Sequence, residues 1–501
     1  MILSQFIFVP LLAAFLIVLF ARKKENVAAI IALAACAWIL IVAVIGFLKL
    51  PAHGGLILEN TSGWKIPYTI ALVLDNLSSF MLIVVSLIGF LSAFYSVQYL
   101  NHFNGKWNFF ALFMLMMTGM NGVILTGDFF NLFVFMEISL YSAYALVAFG
   151  TESEELEAAF KYALMGAITS TMILFGIGIL YSYTSTLTMA DVGLQLSHSG
   201  TPKLLFLVYG LFIAGFGLKT ALVPFHAWLP DAHPSAPAPI SAMLSGVLIK
   251  TLGVYAIVRI FFNVFGAPTV VLQILMLLAI LSIVIGGFLS IVQWDFKRLL
   301  GFSSISQIGY VVLGFALGTP LGILGGILHL FYHAIFKSLL FMDSGAVEYA
   351  TDTRDLRQLG GLSKEMKVTS STTMVGTLSI AGIPPFNGFF SKLIIIIACI
   401  QAGRVVLGII AALVSIVTLA YFLKVQKHAF YGKKGSAKVL EKVPLAMKAV
   451  MIVLAALCLL SSLIMIPPIR EKYISPIVDT VRGKTSYIQN IEPYFDTGSI
   501  K

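Results

Sequence analysis

Gly215-Phe-Gly-Leu-Lys219-Thr-Ala-Leu-Val-Pro224-Phe-His226-Ala-Trp228-Leu-Pro230-Asp231-Ala-His233-Pro234 interrupts an apolar run that begins at Leu204. Pro224 follows Lys219 by five residues and has no N–H for the i→i−4 ladder, so carbonyls near residue 220 need other partners. In lipid such a break survives only where it faces protein or water. A lysine at the same depth costs at least ~2.5–3.5 kcal/mol on insertion scales. A broken helix beside a buried lysine therefore marks a polar site inside a membrane bundle.

The rest of the chain agrees with a membrane setting. Of 501 residues, 59% are hydrophobic and only 11% charged, a balance that excludes a soluble domain. Apolar stretches fall near 2–20, 28–49, 68–98, 108–126, 129–150, 157–184, 204–227, 236–263, 268–293, 299–317, 321–347, 367–401, 405–428 and 445–467. Fourteen crossings are expected, in an all-α polytopic protein with one membrane domain over 1–467 and a polar tail over 468–501. The first stretch is followed by Arg22-Lys-Lys24 with no small-residue cleavage site and reads as a retained helix.

The net charge of +10 sits in short loops between apolar stretches, which argues against nucleic-acid binding and for membrane orientation. Arg22, Lys23, Lys24, Lys106, Lys297, Arg298, Arg354, Arg357, Lys364, Lys367 and the lysines of 424–442 gather on one side, read as cytoplasmic. Lys49, Lys65, Lys203, Arg259 and Arg404 fall on the other, and both termini are placed outside the cell membrane. Thr151 and Glu154 have capping-box spacing. Cys36, Cys399 and Cys458 lie far apart, without metal-ligand or disulfide spacing.

A second break, Ala381-Gly-Ile-Pro384-Pro385-Phe-Asn387-Gly388-Phe-Phe-Ser391-Lys392, lies five stretches after the first and also has a lysine nearby. Interrupted helices at corresponding positions in two halves point to an inverted repeat, with halves near 108–263 and 268–428.

Ionisable residues inside apolar stretches are costly and mark function by default. Glu137 lies about two turns into the fifth stretch, and Lys219 is its preferred ionic partner; Ser139 or backbone is the plainer one. Lys250 lies mid-stretch, with interfacial snorkelling as the alternative. His329, His333 and Lys337 recur at i, i+4, i+8 on one helical face. No carboxylate or thiolate follows at metal-ligand spacing, and one helical face cannot supply both axial ligands of a haem. A proton relay suits imidazoles that titrate near neutral pH, and satisfied core histidines are the alternative. Lys392 follows the second break. His226 and His233 flank the first, as candidate entrance groups or as interfacial side chains. Asp75 and Asp128 open helices as candidate caps. A lysine ammonium has no lone pair, so this row does not coordinate Na⁺ in the way carboxylates and carbonyls do; it can pass protons.

At these residues the chain resembles a known family. Gly127-Asp128 through Glu137, Phe216 through His233, Asp295-Phe-Lys-Arg298 through Tyr310, and Ser379 through Pro385 are similar to the antiporter-like subunits of respiratory complex I, Mrp-type cation/proton antiporters and membrane-bound hydrogenases. The motifs occur in order along nearly the whole chain. The resemblance implies fourteen helices, two inverted five-helix repeats, broken seventh and twelfth helices, and a central proton-carrying axis. It implies that Glu137 is the fifth-helix glutamate, Lys219 and Lys250 the seventh- and eighth-helix lysines, and Lys392 the terminal group of the twelfth helix. Lysine at 392 leans toward the D-type Mrp subunits, and residues 233–246 toward the hydrogenase-type relatives. No long lateral helix is expected after the last stretch, which excludes the largest paralogue.

The expected function is proton translocation along Glu137, Lys219, Lys250, His329, His333, Lys337 and Lys392 within a multisubunit complex. That complex is a membrane-bound hydrogenase or sulfane-reductase type, or an Mrp Na⁺/H⁺ antiporter. Its partners would be other membrane subunits, paralogues among them, and a peripheral redox module. No flavin, nicotinamide, haem or cluster motif is present, so no cofactor, metal or catalytic residue is assigned. A stand-alone transporter of a small solute, a quinone-site subunit supported by the histidines, and a structural scaffold are the rival readings.

Overall fold

A computed structural model of the chain describes residues 3–22, 24–62, 64–199 and 203–495; Lys23 and residues 496–501 lie outside them. Among the described residues the fold is almost entirely helical. Eleven helices are long and apolar enough to cross a membrane, from Glu25–His53 to Leu445–Met465, and Gln5–Phe20, Leu204–Thr220 and Asn387–Gln401 are shorter apolar ones. Large apolar side chains such as Phe8, Leu19, Phe160, Val406 and Leu445 point out of the bundle, where lipid or other membrane subunits would cover them.

Both expected breaks are present and share a local design. Leu204–Thr220 ends at Ala221 in the left-handed region (φ 58°), and Lys367–Ala381 ends at Gly382 (φ 80°). In each, a backbone N–H reaches back five residues, Leu222 to the Gly217 carbonyl at 2.9 Å and Ile383 to the Leu378 carbonyl at 3.0 Å. The carbonyls freed by the breaks are taken up by side chains. Trp228 Nε1 donates to Leu218 O at 3.0 Å, and Ser415 Oγ to Ala381 O at 3.0 Å. The Trp228 ring also stacks on Tyr162 at 4.1 Å, which ties the break to the Ser153–Thr184 helix.

Asp75 and Asp128 cap their helices, accepting from Ser78 N at 2.8 Å and Asn131 N at 2.7 Å. The capping box at the sixth helix is displaced by one residue from the expected Thr151/Glu154. Glu152 is the N-cap and Glu155 returns to its N–H at 3.0 Å, because Thr151 takes a positive φ of 64° in the turn before it.

Ala238–Val264 is unusually wide. Leu244–Leu248, Lys250–Tyr255 and Arg259–Val264 run with π-type i→i+5 bonds, a pattern frequent at functional sites. Two features were not expected. Leu56–Asn60 and Ala71–Asp75 form an antiparallel hairpin. The polar tail folds as Pro467–Tyr473, Ser475–Arg482 and Lys484–Ile491, docked where Asn263 Nδ2 donates to Thr480 O at 2.7 Å.

Charged loops gather on one face: Asp231 meets Lys161 at 3.4 Å and Arg298 at 3.2 Å, and Arg354 meets Asp295 at 2.5 Å. Two cations assigned to loops from the sequence are inside the bundle instead. Arg259 is 3% exposed and Lys297 2% exposed, because each has a carboxylate partner within the fold.

Candidate functional site

The Phe129–Val147 helix places Glu137 half-buried, facing Ser153–Thr184. Ser170 Oγ donates to Glu137 Oε1, and Lys219 Nζ donates to the same hydroxyl at 3.1 Å and to Gly166 O at 3.2 Å. The expected direct Glu137–Lys219 ion pair is thus replaced by a serine-bridged one. A hydroxyl can accept from the ammonium while donating to the carboxylate, so it fits between the two charges where neither reaches the other.

Lys250 is fully buried, which removes the snorkelling alternative. Its Nζ donates to Ser245 O at 2.5 Å, inside the first wide segment. Ser245 Oγ pairs with Ser304 Oγ at 2.8 Å, and Ser304 Oγ donates to Leu300 O at 2.9 Å. Leu300 O also accepts from Lys337 Nζ at 2.7 Å, and the same ammonium bonds Ser303 Oγ. A continuous polar chain therefore links Lys250 to Lys337 across three helices. With one protein acceptor for three N–H donors, Lys250 is the least compensated of the four lysines.

His329, His333 and Lys337 are fully buried along Pro320–Thr351. The imidazoles lie 6.3 Å apart by ring centroid. His329 Nδ1 contacts Ser391 Oγ at 2.9 Å, while His329 Nε2 and both His333 nitrogens have no protein partner. Gln307 and Thr251 also keep buried polar atoms without protein partners. Buried polar atoms are mostly paired by protein or by ordered water, so these unpartnered atoms mark a polar row through the core.

Lys392 was expected to resemble Lys219 in setting, but its contacts differ. Its Nζ turns back to the second break, donating to Ile380 O at 2.8 Å and Ser415 Oγ at 3.2 Å, over the Tyr310 ring at 4.9 Å. Lys219 instead reaches across to another helix, because it precedes its break while Lys392 follows.

The two candidate entrance histidines also part. His226 is half-buried at the break, whereas His233 is fully buried against Phe341 at 4.7 Å with neither ring nitrogen partnered. Burial overturns the interfacial reading of His233.

Several groups escaped the sequence reading. The bridging serines look like any other serine in an apolar stretch. Asp343, fully buried with Oδ1 accepting from Thr372 Oγ1 at 2.7 Å and Oδ2 unpartnered, would have emerged from a scan of every ionisable residue in the stretches. Asp75 and Arg259 form a buried bidentate pair at 2.6 and 2.9 Å, supported by Tyr255 and Asn263. No cluster of three His, Cys, Asp or Glu side chains that could hold a metal occurs among the described residues.

A nearly all-helical membrane bundle with paired helix breaks and a row of buried, hydroxyl-contacted cations defines an antiporter-like membrane subunit. Residues 126–418 match the family model described as NADH:quinone oxidoreductase/Mrp antiporter, TM, and residues 62–110 match the complex I chain 5 N-terminal model. The chain belongs to this family of complex I and Mrp antiporter transmembrane subunits. It is 37% identical over 374 residues to NADH-quinone oxidoreductase subunit N of Desulforudis audaxviator, covering 74% of each chain. To the D-type Na⁺/H⁺ antiporter subunit of Alkalihalophilus pseudofirmus it is 33% identical, over 85% of this chain and 86% of that one. Among solved structures, a chain of the archaeal membrane-bound sulfane sulfur reductase superposes with a TM-score of 0.90 at 30% identity, over 98% of this chain and 99% of that one.

Proposed function

We propose that this chain translocates protons as one subunit of a multisubunit cell-membrane complex, either an Mrp-type Na⁺/H⁺ antiporter or a sulfane-reductase-like oxidoreductase. The observation that carries this reading is the burial of Lys250 and Lys337 in one hydrogen-bonded cluster, in which the Ser245 and Ser304 hydroxyls pair with each other and the Ser245 and Leu300 carbonyls hold the two ammoniums. A charge change at Glu137–Ser170–Lys219 alters the field at Lys250. A proton then moves toward Lys337, the imidazoles of His333 and His329, and Lys392. Hydroxyl bridging lets the Glu137–Lys219 pair tighten or loosen through one serine rotamer.

In this account residues 1–467 are a single membrane domain of fourteen crossings, with repeat halves near 108–263 and 268–428. The face bearing Asp231, Arg298 and Arg354 is cytoplasmic, and both termini are outside. Partners are other membrane subunits, paralogues of this chain among them, and Na⁺ or a redox module supplies the driving force. The names of the relatives support both settings. The experiment is to reconstitute the assembly with its native partners and follow proton movement under a Na⁺ gradient, then with hydrogen, polysulfide or quinone as electron donor or acceptor. Proton movement under one of these drives identifies the setting; none under any of them refutes the proposal.

A further inference from the structure

A cavity of about 420 Å³ opens on the face that carries Asp231, Arg298 and Arg354. Tyr99, Pro234, Ala236, Lys297, Glu348 and Arg354 are among the residues that line it. Lys297 and Glu348 form an ion pair of 2.6 Å with an unequal position: the lysine side chain is 2% exposed and the carboxylate 27%. Both residues line the cavity, and Glu348 is the more exposed of the two. The other charged groups around the carboxylate are Arg354, 3.4 Å from its Oε1, with Asp352, Glu155 and the His102–Glu441 pair on the cavity wall.

Lys297 Nζ also donates to Ala236 O at 3.3 Å. That carbonyl accepts from Ser241 Oγ at 3.2 Å, and the same hydroxyl donates to His233 O at 2.8 Å. The ion pair and His233 are thus built onto one turn of backbone. Beyond His233 lies Phe341, with the Lys337 ammonium over its ring at 5.7 Å. His233, a buried imidazole with two unpartnered nitrogens, lies between the cavity wall at Pro234 and Ala236 and the Lys337 end of the row, behind an ion pair.

We propose that this cavity is the proton inlet of the subunit and that the Lys297–Glu348 pair is its gate. The inference rests on the proton-translocating reading above. Glu348 takes a proton from cavity water, which neutralises the carboxylate and opens the pair. The proton leaves Glu348 through water to a ring nitrogen of His233, and the regenerated carboxylate closes again on Lys297. The closed pair keeps a fixed cation across the path and prevents back-flow.

The test uses the intact complex in everted vesicles, with a pH-sensitive dye reporting proton movement per assembled complex. Glu348→Gln is expected to slow movement about 100-fold or more, the scale of a lost acid–base group. Glu348→Asp is expected to recover at least half of the rate, which a purely packing role would not require. Glu348→Cys is expected to react with a membrane-impermeant thiol reagent added on the cytoplasmic side. A wild-type rate in Glu348→Gln with a silent Lys219→Ala would overturn the inlet and leave translocation standing; wild-type rates in both would overturn translocation itself. An Asp variant as slow as Gln, or labelling only from the outer side, also overturns the inlet.

Discussion

Replacing Ser170 by alanine removes the one hydroxyl that lies between Glu137 and Lys219 while leaving both charges in place. In the structure Ser170 Oγ accepts from Lys219 at 3.1 Å and donates to Glu137. Without it, Lys219 keeps only Gly166 O at 3.2 Å, and Glu137 loses its donor. A hydrogen bond to a charged group is worth ~1.5–3 kcal/mol. The bridge holds two, but they share one oxygen and are not independent, so a loss of ~1.5–3 kcal/mol in coupling is the appropriate scale. At about 1.4 kcal/mol per factor of ten, proton movement should fall roughly 10- to 100-fold. The assay is dye-reported proton movement in vesicles, normalised to assembled complex, for Ser170→Ala and Ser170→Thr. Threonine keeps a hydroxyl and should retain most of the activity. A wild-type rate in Ser170→Ala would show that the charges communicate without the bridge and would refute the reasoning.

Arg259→Ala leaves Asp75 buried and unpaired, so it should destabilise the fold by ~3–5 kcal/mol, read as a lower thermal midpoint of the detergent-solubilised complex. An unchanged midpoint would mean that the pair is solvated. Gly119→Ala places a Cβ 2.5 Å from Phe135 O and Ser139 N, backbone atoms that cannot turn aside. It should force apart Lys106–Leu125 and Phe129–Val147 at a cost of ~1–3 kcal/mol, measurable by the same midpoint.

The fold class was legible because apolar stretches of bilayer length need no tertiary information. The breaks were legible because Pro224 and Pro384-Pro385 stop a helix wherever it packs. Lys219, Lys250, His329, His333, Lys337 and Lys392 stood out because ionisable residues in apolar runs are costly. Their connections did not, since a connection depends on which serine of which helix faces inward. Ser170, Ser245 and Ser304 have ordinary neighbours in sequence. Arg259 and Lys297 were assigned to loops because they lie near the ends of apolar stretches; their partners Asp75 and Glu348 are 184 and 51 residues away in the chain. The wide turns of Ala238–Val264 carry no residue pattern that separates them from an ordinary helix. The polar tail carried no sequence signal for its docking, yet Ile477, Val478 and Val481 bury one face of Ser475–Arg482 against the bundle.

The most direct measurement is proton movement by the complete assembly carrying Lys219→Ala, with its driving reaction followed in parallel. Proton movement is expected to fall to the level of empty vesicles while the complex still assembles, since the serine bridge then has no cation to pair with Glu137. Proton movement at the wild-type rate in that variant would contradict it.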